Sequence, residues 1–413
     1  MPIHKQNEKM KYIVRKMRRF CGFIAGFIFY ISGILKLIDP VGAGLVMDEY
    51  YSFLHLGFLG FSAKFMGTAF AFAETLIGAA LITGVWRKAT AIAAFSFQGF
   101  FTLLTLILVI INPEMDCGCF GEAIHLTHWQ TFLKNIAILL LLCGDFIPMR
   151  ELGEPKKKKF VSFALVAIST LAFTVYSWMY IPLKDFTAYK PTAMLEAADA
   201  FAAEEEDRYE AVFVYEKDGK KETFDLEHLP DSTWTFVETN TVLKEEFEDP
   251  VISLSFFNRE GTYQDRLAAE GKVILVSVYN PDIKAARWEE IARFTDEAAA
   301  EGFRPLILVS STPEEFDAIT AGLPEEVRET ILGRTWFSDY KTLITLNRSN
   351  AGVTFFSDGY LIRKWASRAA PDREALHETA TTAETEILIG QSSQGSLTFQ
   401  GFLLYVFAVM LLM

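Results

Sequence analysis

Only four of the 413 residues are cysteine, and the stretch from 183 to 395 contains none. Four are too few for a disulfide scaffold, and the cysteine-free stretch cannot perform dithiol exchange by itself. Positive charge is also short: 39 Lys and Arg stand against 52 Asp and Glu, a net charge of −13. Such a chain lacks the basic face that displaces counterions from phosphates, which excludes nucleic acid as a partner. No Walker loop, G-x-S-x-G elbow, dinucleotide fingerprint or HExxH is found, and Ser, His and Asp are scattered, so no hydrolytic triad stands out.

What is present is apolar and unevenly charged. Apolar residues make up 51% and charged residues 22%, which is neither a disordered nor a collagen-like composition. The length allows two or three domains. Residues 1–182 balance to +6, whereas residues 183–413 balance to −19. A basic, apolar first part joined to an acidic second part reads as a membrane region followed by a soluble one.

Crossing the hydrocarbon core takes about 20 apolar residues. The runs Phe20–Ile38, Phe65–Trp86, Ala89–Ile111 and Trp129–Met149 meet this, and Phe160–Ile181 adds a fifth after Lys156–Lys159. A sixth, Leu397–Met413, has 17 residues and is short for a span. The first run is followed by Lys36, Asp39 and Pro40 rather than by a small-x-small cleavage site, and is expected to be a retained span. Residues 1–19 hold seven Lys and Arg against one Glu, Arg87 and Lys88 follow the second run, and residues 150–159 hold five against two. These alternate ends mark the cytoplasmic side. The acidic loops 39–64 and 112–128, and residues 183–395, are then expected on the periplasmic side of a bacterial inner membrane.

The 112–128 loop contains the residues best suited to chemistry. Cys117 and Cys119 flank Gly118, whose backbone freedom allows the tight turn that brings two Cα atoms within disulfide reach. So small a ring is strained, and strained disulfides are the readily reduced, catalytic or regulatory kind. A second reading takes Cys117, Cys119, His125 and His128 as a two-Cys, two-His set for zinc or copper. A third makes the cysteines a passive staple and the histidines interfacial residues. Cys21 and Cys143 lie in apolar sequence near the opposite ends of their spans and read as small hydrophobes.

Charges within the spans also need partners. Glu74 lies inside the second run and Lys36 near the outer end of the first. They read either as a proton or quinone site under the Cys117 loop or as a buried ion pair with Lys36 snorkelling outward. Lys134 is a second potential partner for Glu74.

Ser32-Gly33-Ile34-Leu35-Lys36-Leu37-Ile38-Asp39-Pro40 closes the first span, Glu74 precedes Gly78 in the second, and Asp116-Cys117-Gly118-Cys119-Phe120-Gly121 lies in the loop. In these features residues 20–150 resemble the DoxX/MauE group of four-helix membrane proteins. MauE-type proteins are associated with methylamine utilisation and support disulfide formation in a periplasmic dehydrogenase. The resemblance implies a thiol–disulfide role for Cys117 and Cys119 with a periplasmic protein client; it does not imply methylamine as the business of this chain.

Beyond residue 183, Ala193–Asp207 reads as a helix or flexible arm. Ala211–Tyr215 and Glu222–Leu226 flank an Asp218-Gly219 hairpin turn, and Trp234–Val237 supplies a third strand of a small β unit ending near 249. From 250 to 375, Lys272–Val278 and Arg304–Ser310 read as buried strands, Ile283–Gly302 as an amphipathic helix, a further helix starts at Pro313, and Val353–Phe356 with Tyr360–Trp365 as a hairpin. This order resembles the thioredoxin fold. The segment Tyr279-Asn280-Pro281-Asp282 stands where that family carries Cys-x-x-Cys, and Ala351-Gly352 where it carries a cis-proline, so the activity does not follow from the fold.

The expected architecture is an integral membrane four-helix bundle over 20–150, a fifth span over 160–182, a sixth over 397–413, and an extracytoplasmic α/β domain of thioredoxin type after the arm and β unit of 183–249. The expected function is support of periplasmic thiol–disulfide redox by Cys117 and Cys119. The reading from another class is a membrane scaffold whose acidic outer domain recruits a basic partner. A quinone is compatible with the first, although no sequence feature locates its site.

Overall fold

The computed structural model describes residues 2–113, 115, 117–124, 126–147, 157–196, 209–217, 220–224, 229–230, 233–243 and 251–413. It divides into two units: Met1–Phe186 with Ser392–Met413, and Thr187–Gln391.

In the first unit, helix α1 runs without a break over Pro2–Ile38, joining the basic N-terminus and the first apolar run in one rod. Asp39-Pro40 ends it and starts the next helix. Pro40 occupies the first turn of α2, Pro40–Phe53, where its missing N–H costs nothing, and Asp39 Oδ1 accepts the Gly42 N–H at 2.9 Å. The sequence reading treated 39–64 as loop; the segment is instead α2 followed by a 3-10 turn over Gly57–Ser62. Helix α3 covers Ala63–Thr83 and stops at Gly84, which adopts φ +74°. Helix α4 spans Arg87–Ile111, the short strand β1 spans Cys119–Glu122, α5 spans His128–Phe146, and α6 spans Lys157–Met179. The last helix covers Glu384–Leu412, with Ser392 onward in this unit, and contains most of the run Leu397–Met413 that had been read as a separate short span.

Helices α1 and α3 approach closely because small residues meet there. A Cβ on Gly78 would stand 2.5 Å from the Tyr30 nitrogen, so any larger residue would push the helices apart. Among the described residues five helices are long and apolar enough to cross a bilayer: Tyr12–Ile38, Gly57–Thr83 (the 3-10 turn with α3), α4, α6 and Glu384–Leu411. Their outward side chains fit lipid rather than water. Ile92, Leu103 and Ile110 on α4 and Ile168 on α6 are all more than 60% exposed, a concentration that water-facing helices do not carry. Helix α5 is not among the five, since its 19 residues include Lys134, Asn135 and Asp145. Residues 148 and 149 of the fourth expected span lie outside the described residues.

The second unit contains a seven-stranded sheet of order β6-β2-β11-β10-β7-β8-β9. Its strands are β2 Met194–Leu195, β6 Val251–Ile252, β7 Lys272–Val278, β8 Arg304–Val309, β9 Thr335–Phe337, β10 Gly352–Ser357 and β11 Tyr360–Trp365. Strands β7, β8 and β9 run parallel, while β10 and β11 form an antiparallel hairpin beside β7. The central strand β7 is buried from Val273 to Val278, as its largely apolar run, broken only by Ser277, requires. The helix Ala285–Ala300 packs Trp288 and Ile291 onto the sheet. Met194–Leu195, taken from sequence as part of an arm, pairs with both β6 and β11, and residues 197–208 of that arm lie outside the described residues. A separate three-stranded antiparallel sheet orders β4 (Lys220–Phe224), β3 (Tyr209–Lys217) and β5 (Thr235–Leu243), with the Asp218-Gly219 turn outside the described residues.

Candidate functional site

The Cys117–Cys119 turn is fixed to the helical bundle by its own backbone. Tyr50 of α2 donates from Oη to the Cys117 carbonyl at 2.9 Å, and Ser32 of α1 donates from Oγ to the Cys119 carbonyl at 2.6 Å. Burial first, and then the adjacent thiols of Cys119 and Cys117, push the Tyr50 hydroxyl well above the usual tyrosine range, so it remains a donor. Between the two cysteines Gly118 takes φ +57°, and a Cβ there would collide with Val46 Cγ1. No side chain fits this position without strain.

Cys117 and Cys119 stand as thiols. Cys117 is buried at 5% exposure and Cys119 is half-buried. Cys117 Sγ lies 2.9 Å from His128 Nδ1, and His128 Nε2 lies 3.0 Å from the Pro113 carbonyl. A carbonyl only accepts, so Nε2 carries the ring proton of a neutral His128, and Nδ1 is left as the acceptor facing sulfur. The imidazole is therefore placed to take the Cys117 proton and to return it. His128 holds this position because it begins α5, just after a capping box in which Thr127 Oγ1 accepts the Gln130 N–H at 3.3 Å and Gln130 Oε1 accepts the Thr127 N–H at 3.0 Å.

The remaining expected site residues divide. Lys36 Nζ sits 2.6 Å from Glu74 Oε2 and 3.4 Å from Ser32 Oγ, so the two in-span charges face each other across α1 and α3. Lys134 stands 4.8 Å over the Phe120 ring. His125 lies outside the described residues, and among the described residues no three His, Cys, Asp or Glu side chains cluster as a metal site. Cys21 Sγ would lie 3.2 Å from a Cβ on Gly144, away from the loop; Cys21 precedes Lys36 by 15 residues on α1, which is about 22 Å of helix.

Two groups escaped the sequence reading. His128 had been weighed only as a ligand or an interfacial residue, and Tyr50 not at all; neither carries a local sequence signature, because each meets Cys117 only through the fold. At the other end of the bundle Asp145, 2% exposed, receives Arg87 Nη2 at 2.9 Å on its carboxylate and Arg18 Nη2 at 2.9 Å on its carbonyl. That cluster ties α1, α4 and α5 together.

A small cavity of about 70 Å³ lies against the Cys turn. Cys117, Gly118 and Cys119 border it, as do Lys36 and Glu74. The thiols and the in-span ion pair thus share one chamber.

Comparison with known proteins bears on this region. Residues 12–147 match the family described as Methylamine utilisation protein MauE, a stretch that includes the Cys turn, His128 and the Lys36–Glu74 pair. Residues 209–246 match a family described as Domain of unknown function (DUF8463). Protein TlpB of Flavobacterium psychrophilum is 27% identical over 179 residues, covering 40% of this chain and 45% of its own length. The chain thus spans less than half of that relative. No solved structure matches. With its five long apolar helices and the MauE match across α1 to α5, the chain is a membrane protein with a MauE-like helical region.

Proposed function

We propose that this protein carries out thiol–disulfide exchange at the periplasmic surface of a bacterial inner membrane, with Cys119 as the entry thiol and Cys117 as its buried partner. The observation that carries this reading is the 2.9 Å approach of His128 Nδ1 to Cys117 Sγ, with the opposite ring nitrogen held by Pro113. A base held in one tautomer against a buried thiol favours the thiolate, the form that exchanges.

In the oxidised protein a client thiolate attacks Cys119 Sγ, the more exposed sulfur, and the Cys117–Cys119 bond breaks. Cys117 leaves as the thiolate and takes up, through His128, the proton that the client thiol gave up on ionising. The client's second thiolate then attacks its own sulfur in the mixed disulfide and releases Cys119. The client gains one disulfide and the protein becomes the dithiol. The turn held at Gly118 keeps the two sulfurs close enough for the cycle to close.

The second unit adds no thiol, and its role in this reading is to hold the client. The parallel strands β7 and β8, with the β10–β11 hairpin beside them, support a thioredoxin-like framework without the active-site cysteines. The −19 balance of residues 183–413 favours a basic client surface.

The test is trapping in membranes. Cys117→Ser should accumulate a mixed disulfide through Cys119, and Cys119→Ser should accumulate little. Thiol alkylation of the wild type should show the pair cycling between reduced and oxidised forms. A pair that stays oxidised under reducing conditions, or stoichiometric zinc that depends on His125 and His128, overturns the redox reading in favour of a staple or metal site.

A further inference from the structure

We infer that the basic end of the helical bundle carries a binding site for an anionic phospholipid, in a groove where Lys16 and Arg19 hold the phosphate and Phe20 and Phe23 take an acyl chain. The site lies far from the Cys turn. Lys16 precedes Lys36 by 20 residues on the unbroken helix α1, which is about 30 Å, the thickness of the hydrocarbon core.

The groove runs along α1 beside the end of α3 and has a volume of about 550 Å³. Its lining is Lys16, Met17, Arg19, Phe20, Phe23 and Ile82. Positions 16, 19, 20 and 23 recur at helical spacing, so they form one stripe of α1. The order along that stripe is the order of a phospholipid. Lys16 and Arg19 come first, and Phe23 lies seven residues beyond Lys16, about 10 Å further into the span that begins at Tyr12. Met17 and Phe20 are more than 60% exposed, so no protein covers this part of the apolar floor.

The cations fit a phosphate. Arg19 Nη1 lies 2.5 Å from where a Cβ on Gly84 would stand, so the guanidinium rests over the C-terminal turn of α3, whose carbonyls favour a cation. Held there, its planar fork of N–H groups matches the oxygens of a phosphate. The Lys16 ammonium, 4.6 Å over the Tyr12 ring, adds a second positive charge on the same stripe.

No carboxylate borders the groove, and this decides the headgroup. A zwitterionic headgroup carries its own ammonium beside the phosphate, which here would meet two cations and nothing to receive it. An anionic headgroup brings no such charge. A free phosphate would satisfy Lys16 and Arg19 but leave Met17, Phe20 and Phe23 bare. Basic pockets beside membrane helices recognise anionic lipids on these terms.

The experiment is native mass spectrometry of the full chain, purified in a mild detergent and titrated with phosphatidylglycerol and phosphatidylcholine of identical chains. Phosphatidylglycerol should bind about thirtyfold more tightly, the worth of two cations at an anionic group. Lys16→Gln with Arg19→Gln should abolish that preference. Lys88→Gln with Lys157→Gln removes the same charge from exposed positions on α4 and α6 and should leave it intact. Glycerol 1-phosphate, the headgroup ester without chains, should not displace the lipid. Equal binding of the two lipids, or a preference lowered equally by both double variants, would mean ordinary lipid solvation or diffuse charge and overturn the site. A preference that survives Lys16→Gln with Arg19→Gln overturns it as well. Displacement by glycerol 1-phosphate at matching concentration would make the groove a site for soluble phosphate and overturn the lipid reading. If the Lys16 and Arg19 double variant does not fold, phosphatidylglycerol with a diazirine in its acyl chain decides on the wild type: adducts on the 16–23 peptide uphold the groove, and adducts confined to other peptides overturn it.

Discussion

His128 stands between a sulfur and a carbonyl: Nδ1 is 2.9 Å from Cys117 Sγ, and Nε2 is 3.0 Å from the oxygen of Pro113. The second contact gives the first its meaning, since it sets which nitrogen faces the thiol. His128→Gln keeps a polar side chain but removes the base. Alkylation of Cys117 at neutral pH, measured in a Cys119→Ser background, should fall roughly a hundredfold, the lower range for loss of a positioned base. The rate should also lose its dependence on imidazole protonation. An unchanged pH profile in the variant would show that His128 merely packs against the sulfur.

Lys36 and Glu74 form the ion pair beneath the same loop, with side chains 19% and 10% exposed. Removing one charge strands the other in a low-dielectric bundle, which costs about 3 kcal/mol, whereas replacing both by apolar groups costs far less. Glu74→Gln should therefore destabilise the detergent-solubilised protein, and Lys36→Met with Glu74→Leu should recover most of the loss. Unfolding in detergent of the two single variants and the double variant gives the coupling directly. The same Glu74→Gln protein tests a proton-relay role: normal redox turnover would remove it.

Much of this architecture was written in the sequence as runs and breakers. Arg87–Ile111 and Lys157–Met179 differ from the apolar runs by at most three residues at either end, because hydrophobic length is a local property. Helix α2 was missed although its signal was present: Asp39-Pro40 is a cap followed by an N1 proline, but the segment was taken as an acidic loop between two apolar runs. Strands β2 and β9 have two and three residues, too short for any periodicity, and exist only because the sheet edge offers partners. The cysteines were legible as a pair from their spacing. The approach of His128 was not, since the loop between them must first fold back on Pro113.

Gly118 offers a test of the turn itself. Its φ of +57° and the nearness of Val46 leave no room for a Cβ. Gly118→Ala should cost about 1–2 kcal/mol from the left-handed backbone alone, with the collision added. Disulfide formation between Cys117 and Cys119 should slow more than alkylation of either thiol, because ring closure depends on the turn and single-thiol reactivity does not. Val46→Ala in the same chain should relieve the collision but not the backbone strain, and so restore part of the loss. Equal slowing of closure and alkylation would place the effect in general unfolding of the loop.

Asp265 is the most informative titrating group in the second unit. Burial raises its pKa, opposed by hydrogen bonds from the Phe256 and Ser255 backbone, and Glu196 raises it further. A carboxyl whose folded value lies above its unfolded value near 3.9 favours the folded state in its protonated form. Its contribution is therefore fully present below that unfolded value and is lost as pH rises through the folded one. Asparagine mimics the protonated form, and its Oδ1 can still accept the Phe256 N–H that Asp265 Oδ1 receives at 3.3 Å. Asp265→Asn should thus melt above the wild type at neutral pH, and the gap should close as pH falls toward about 4. Melting followed through the fluorescence of Trp288 and Trp336 in this unit reads the difference. A gap of the same size at every pH, or a wild type more stable at neutral pH, would mean that the backbone hydrogen bonds outweigh the burial of the charge.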